Sequence, residues 1–331
     1  MTTIIDVAKA AGVSFKTVAR VLNGETGVRD STRKTVLNAA SKLNYKPNNA
    51  ARNLRSKSIQ KVILLGNNPS RSFVESMRLG ALLGCQRLGY ELNVEFLSDI
   101  ETIESLLADE TVVGAIIAPP MANSQHAIDR LNQTNVPFIR VFANRDNLQS
   151  DSIGINDRAA AHDMTRYLIS LGHSHIGFIK GPNDHDSSHQ RLLGYQDAMR
   201  DAGHKIDDSL VVDGNFTYVS GLAAAEILLA APNRPSAIFA SNDDMAAATL
   251  SVAYKFGISV PDALSVAGFD DSPIAVVVHP GLTTIQQAVP SIAERAIGIL
   301  SEQIKFKNNE PVDIEMSYKL VKRGTTAPYK P

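Results

Sequence analysis

The chain has 331 residues, 44% of them hydrophobic, one cysteine, and 33 Lys and Arg against 34 Asp and Glu. That length supports two or three domains with cores of their own. No apolar run reaches the roughly 20 residues of a membrane span, and a lone thiol can neither close an internal disulfide nor share a metal with a second, which fits a reducing compartment.

The near-neutral total of −1 hides an asymmetry. Residues 1–58 carry eleven Lys and Arg against three Asp and Glu, a net +8 that leaves −9 for the remainder. A basic head on an acidic body is the pattern of a phosphate-binding module joined to a separate domain, since neutralising phosphates supplies most non-specific DNA affinity.

Within the head, Ile4, Val7, Ala8 and Ala11 recur at the spacing of one helix face, and Val18, Val21 and Leu22 do so again after Gly12. Two short helices are therefore predicted. Gly12 supplies the positive φ of a tight turn, and the Ser14 hydroxyl caps the second helix. Burying the two stripes leaves Phe15, Lys16, Thr17 and Arg20 facing outward, the layout of a helix-turn-helix whose second helix enters the DNA major groove. A third helix over 31–43 is expected to close the bundle with Val36, Leu37, Ala40 and Leu43.

Next, Pro47 disfavours helix at Lys46, and Asn48 can cap a short helix through about Leu54. So short a helix is marginal alone. Beside a DNA reader it is expected to order in the minor groove with Leu54 as a wedge between base steps; the plainer alternative is that Leu54 packs in a linker.

From Lys61 the pattern alternates. Strands are predicted at 62–65, 92–96, 114–118, 138–142, 153–155, 176–180, 210–212, 237–240 and 264–268, with helices at 73–88, 159–171, 190–202, 219–229 and 245–256. Such alternation means parallel sheets covered by helices, dividing near Asn156 into two lobes. A helix from Val289 to about Phe306 and a strand over 317–321 follow. Ligands of open parallel sheets bind beyond the carboxyl ends of strands, where Asn68, Pro119, Asn144, Arg145, Pro182, Asn242, Asp243, Asp270 and Asp271 gather polar groups.

Enzyme readings find little support. No dinucleotide or phosphate-loop glycine motif follows a strand, and no serine sits in a nucleophile elbow. His185, Asp186 and His189 have a spacing that could hold a metal, but they read as loop residues and a helix start. A sugar-binding protein that never touches DNA would need an export signal and have no use for the positive head.

These residues resemble the LacI/GalR family of bacterial transcriptional regulators over essentially the whole length. Asp6-Val7-Ala8, Ala11-Gly12-Val13-Ser14, Thr17-Val18 and Arg20-Val21-Leu22-Asn23 match its head, and Tyr45, Pro47-Asn48, Ala51-Arg52 and Leu54 its hinge. Gly181-Pro182, Arg191, Gly194-Tyr195, Asn242-Asp243, Gly268-Phe269-Asp270-Asp271 and Leu282-Thr283-Thr284 match its core. The resemblance implies a small all-α helix-turn-helix head (1–46), a hinge helix and linker (47–58), and an α/β two-lobed periplasmic-binding-protein-like core (59–331). Lobe 1 would span about 60–155 plus 289–316, and lobe 2 about 156–287 plus 317–328.

It further implies a cytoplasmic repressor, not an enzyme, with neither cofactor nor metal. A homodimer would bind a palindromic operator, and a small sugar between the lobes would release it; a corepressor of opposite sign is the alternative. No heptad tail follows the core, so association is expected to stop at the dimer. Phe15, Lys16 and Arg20 would read bases, Ser14, Thr17 and Asn23 would contact the backbone, and Ala51 and Leu54 would serve the hinge. Arg191, Asn242, Asp270, Phe216, Gln287 and Phe73 would hold the effector. Departures include Ala19 for a common serine, Arg29 for a frequent capping serine, which leaves Asp30 or Ser31 to cap, and Arg71 as an added cation near the cleft.

Overall fold

The structure, a computed structural model, describes residues 3–22, 28–43, 59–96, 102–143, 150–306 and 310–330. Asn23, Ala51, Leu54, Asn144 and Arg145 lie outside the described residues.

The head is three helices, α1 (Ile4–Ala11), α2 (Phe15–Leu22) and α3 (Asp30–Lys42). A capping box starts α1: the Asp6 carboxylate accepts from the Thr3 amide at 2.8 Å, and the Thr3 hydroxyl accepts from the Asp6 amide. Gly12 ends α1 at φ 64°, and Ser14 Oγ accepts from the Thr17 amide at 3.1 Å, which starts α2. Val7, Ala8, Val18, Val21, Val36, Ala39 and Ala40 form the core of the head.

Two expectations change here. Leu37 is 49% exposed, because the inward stripe of α3 runs 36, 39, 40, 43 and Leu37 lies a quarter-turn away; Ala39 takes the inward place. Neither Asp30 nor Ser31 caps α3. Arg29 occupies the cap without a side-chain bond, and Asp30 sits in the first turn, where its charge favours the helix dipole.

The core begins with β1 (Lys61–Gly66), α4 (Arg71–Leu88), β2 (Glu91–Phe96), α5 (Ile103–Leu107), β3 (Val112–Ile117), α6 (Gln125–Gln133), β4 (Phe138–Val141) and β5 (Asp151–Gly154). It continues with α7 (Asp157–Ser170), β6 (Ile176–Ile179), α8 (Asp186–Asp201), β7 (Val211–Val212), α9 (Tyr218–Ala230), β8 (Ala237–Ala240), α10 (Asp243–Lys255), β9 (Ser265–Ala267) and α11 (Ile274–Val277). Last come β10 (Thr284–Gln286), α12 (Val289–Phe306), β11 (Asp313–Glu315) and β12 (Lys319–Val321).

Two parallel sheets result, a six-stranded one ordered β11-β5-β4-β3-β1-β2 and a four-stranded one ordered β7-β6-β8-β9. Their strands read as unbroken apolar runs, such as Val62-Ile63-Leu64-Leu65 and Ala237-Ile238-Phe239-Ala240, because helices cover both faces. One cluster of buried side chains runs from α4 and α12 through both sheets to α7 and α8, and each sheet packs a second cluster on its other face.

After β10 the chain returns to the first sheet. α12 lies along α4, joined by Arg87–Glu294 at 2.7 Å, and β11 adds the outer strand beside β5. β12 then pairs antiparallel with β10. Cys85 is buried in α4, where loss of solvation pushes its thiol up to about 12 and leaves it unreactive. Among the described residues no helix is long and apolar enough to cross a membrane.

Candidate effector-binding cleft

The carboxyl ends of the two sheets face each other across a narrow cleft. From the first sheet it is lined by Asn68, Ser70, Phe73, Pro119 and Phe142, and from the second by Ser187, Arg191, Phe216, Asn242 and Asp270. Phe73 meets Phe142 edge-on at 5.2 Å between ring centres, so two aromatic rings wall one side. Arg71 is exposed at the start of α4 and does not line the cleft.

Arg191 stands at the centre. It projects from the second turn of α8 and is almost wholly buried, with its guanidinium 3.6 Å from the centre of the Phe269 ring. Nε donates to Asp157 Oδ1 at 2.7 Å, Nη1 donates to the Ser241 carbonyl at 2.6 Å, and Asp270 Oδ1 lies 3.7 Å from Nη1. A guanidinium can lie this deep because each contact replaces water with an oxygen or a π face. Burial raises the Asp157 carboxyl above its ordinary range, with Arg191 opposing that shift.

Asp270 follows β9 at φ 116°, a conformation that costs a non-glycine residue energy. Its neighbour Asp271, at φ 55°, shows what holds it there. Arg323, just past β12, donates to Asp271 Oδ1 at 2.6 Å, and Gln286 donates to Oδ2 at 2.8 Å. Gln287 does not line the cleft. It is fully buried behind Asp270 and donates to its Oδ1 at 2.5 Å, so it positions the carboxylate instead of facing a ligand. Burial pushes the Asp270 carboxyl up to about 7; Asp244 and Asp157 add to the rise, whereas Arg191 and Gln287 hold it down.

Asn242 lines the cleft, and its polar atoms also build the local structure. Oδ1 accepts from the Met245 amide at 3.0 Å, capping α10, and Nδ2 donates to the Phe216 carbonyl at 2.9 Å. Phe216 itself has φ 64°. Its ring reaches the cleft by lying on Gly181, where an added Cβ would come within 2.3 Å of the ring. Gly181→Ala is therefore expected to displace Phe216 and weaken effector binding about tenfold or more while the head still binds DNA; paired titrations of effector and operator check this.

Two residues of the site carry no mark of that role in the sequence: Asp157, which holds Arg191, and Phe142, at the end of a predicted strand. Asp243, one of the polar groups at the strand ends, is buried and ties α10 to the Asp270 loop by accepting from the Ser272 amide at 2.7 Å and the Thr284 hydroxyl at 2.6 Å. Asp244 lies toward Ser72 and Ser70 on the first sheet's side, and burial raises its carboxyl above the ordinary range while these hydroxyls oppose the shift. His185 caps nothing with its side chain; the ring is buried edge-on to Phe216, and Nε2 has no hydrogen-bond partner among the described residues. Asp186 begins α8 instead of lying in the loop, and among the described residues no group of three His, Cys, Asp or Glu is placed to hold a metal.

Residues 3–48 match the model of "Bacterial regulatory proteins, lacI family", and residues 165–326 that of "Periplasmic binding protein-like domain". The chain is 33% identical, over 98% of its own length and 98% of the relative's, to the HTH-type transcriptional repressor PurR of Photobacterium profundum. The chain belongs to the LacI family. Its fold superposes on the transcriptional regulator CelR in complex with cellobiose (TM-score 0.75, 28% identity, 98% of this chain and 100% of that one). It also superposes on the lac repressor dimer bound to operator and the anti-inducer ONPF (TM-score 0.73, 26% identity, 98% and 99%). This LacI-family chain is thus a DNA-binding transcription regulator with a ligand-binding core, and its relatives are repressors, not enzymes.

On the regulator's head, α2 presents Phe15 at 59% exposure, with Ser14 and Lys16 exposed beside it and Thr17 and Arg20 half-buried. Ser14 and Thr17 bond to each other at 2.9 Å, so both hydroxyls stabilise the turn whatever else they meet.

Proposed function

We propose that this regulator is a repressor that binds a palindromic operator as a homodimer and is released by a small sugar or glycoside bound in the cleft. The observation that carries the reading is the cleft itself, in which aromatic faces from one sheet oppose Arg191, Asn242 and Asp270 from the other. Stacking faces beside paired donors and acceptors suit a ring bearing hydroxyls. The cellobiose bound by CelR points the same way. In this reading Phe73 and Phe216 face the sugar, and Gln287 acts through Asp270.

On the head, Phe15, Lys16 and Arg20 read bases, and Ser14, Thr17 and Asn23 contact phosphates. Ala51 and Leu54 belong to a hinge that orders on the operator. Lobe 1 (60–155 plus 289–316) and lobe 2 (156–287 plus 317–328) change their angle when the effector bridges them, and the hinges separate. The shift is bounded by the effector's different affinity for the two forms. A DNA partner supports a cytoplasmic location.

Dimerisation is supported by exposed apolar side chains: Leu79, Leu82 and Leu83 on one face of α4, Phe96 at the end of the edge strand β2, and Tyr254 and Val277 beside the second sheet. Leu82→Glu with Leu83→Glu is expected to give a monomer by light scattering that loses most of its operator affinity, since two half-sites no longer bind together. The whole reading is tested by thermal-shift screening against sugars and nucleosides, followed by gel shift with genomic fragments. A cleft ligand that leaves operator affinity unchanged would overturn it. One that tightens the complex would reverse its sign.

A further inference from the structure

The charge of the cleft carries a statement about which ligands can enter. Arg191 is the single Lys or Arg lining it among the described residues, and its charge is already met from two sides. Asp157 takes Nε at 2.7 Å, and Asp270 lies 3.7 Å from Nη1. Asp243 and Asp244, at the start of α10, face Asp270, and Asp186, at the start of α8, faces Asp157. Gln287, the other polar group on Asp270, is neutral. Two carboxyl groups thus meet one guanidinium, and each of those two has further carboxyl groups acting on it. The elevated Asp270 carboxyl is what such crowding and burial produce.

We infer that the cleft takes an uncharged or cationic polar effector and rejects anions, with Asp270 setting that choice. The inference rests on the cleft being the effector site and narrows what can occupy it. A phosphate or carboxylate placed against Arg191 would have to compete with Asp157 for a guanidinium that is already neutralised, and would add its charge to that of Asp270. A ligand hydroxyl or ammonium meets the opposite situation, because its proton can be donated to Asp270 and its approach lowers the repulsion among the carboxyls. Selection of this kind acts by penalising the wrong ligand, not by adding a contact to the right one.

Inorganic phosphate is the probe, titrated against the full chain at constant ionic strength. Phosphate held by the basic head is common to all variants, so the difference between variants reads the cleft. At a pH well above the Asp270 range, where its carboxyl is ionised, Asp270→Asn removes one charge a few ångströms from Arg191 and is expected to tighten phosphate binding at the cleft at least about tenfold after screening. Asp244→Asn, at the half-buried margin, should move affinity the same way by less and serves if Asp270→Asn folds poorly.

Equal phosphate affinity in the parent chain and both variants would overturn the inference. So would any phosphorylated or carboxylated sugar that stabilises the parent chain more than its neutral counterpart. Neither outcome depends on DNA. A failure here therefore leaves repression by a cleft ligand standing, and a failure of repression leaves the charge selection measurable.

Discussion

Replacing Arg191 with alanine is expected to cost the core about 3–5 kcal/mol, because it leaves Asp157 buried without its partner. The Ser241 carbonyl and the Phe269 face lose their contacts in the same step. Urea unfolding gives the number directly, as a fall in midpoint at unchanged slope. The deficit should depend on pH in a defined direction. Burial already raises the Asp157 carboxyl in the folded chain, and losing the guanidinium raises it further. An acid raised on folding holds its proton more tightly in the folded state, so its contribution is best at low pH and is lost as pH rises through the carboxyl range and beyond. The penalty of Arg191→Ala is therefore expected to shrink on acidification and to be largest above neutrality. A penalty that is flat with pH would mean that Asp157 finds another partner.

Adding Asp157→Asn to the arginine variant should restore part of the loss, since the second change removes the stranded charge. The shortfall from additivity measures their coupling. Whatever folded protein remains is expected to bind operator and ignore the effector, because the head and its helices are untouched. Gel shifts with and without the effector separate this outcome from simple unfolding.

Much of the architecture is legible in the chain because each buried strand advertises itself. Val62 to Leu65 and Ala237 to Ala240 are continuous apolar runs that only a two-sided parallel sheet accommodates. The strand β11 carries no such mark. Asp313-Ile314-Glu315 has one apolar residue, and it becomes a strand because β5 offers a free edge and Ser152 a partner for Asp313. Leu37 misled for a related reason: apolar identity alone does not fix which side of a helix faces inward. The cleft follows the same division. Arg191, Asn242, Asp270, Phe216 and Phe73 stand at strand ends or helix starts, where position suggests exposure to a ligand. Gln287 stands in a crossover, and only the three-dimensional path of the chain puts it behind Asp270 instead of in front. The partners of Asp157 and Asp243 are not legible because a carboxylate in the first turn of a helix is ordinary, and nothing local says that an arginine thirty-four residues away, or a threonine forty-one away, lies against it.

Arg20→Ala should leave effector binding intact and remove operator selectivity at one base pair in each half-site. Val18 and Val21 face the core of the head, which turns Lys16 and Arg20, one helical turn apart, to the same outer side. A guanidinium there can fork onto the O6 and N7 acceptors of guanine, and a pair of that kind discriminates against a wrong base by about 1–3 kcal/mol. A dimer makes the contact twice on a palindrome, so the total should be about twice that on a symmetric operator and about half on one with a single intact half-site. Selection from random DNA with the full chain supplies the operator, and competition at fixed salt against single-base variants then measures the loss. Arg20→Lys keeps the charge and loses the fork, so it should retain non-specific affinity and salt dependence while discrimination falls. Unchanged base preference in both variants would take Arg20 out of the reading role. A loss confined to overall affinity, with the salt slope reduced by about 1, would make it a phosphate contact.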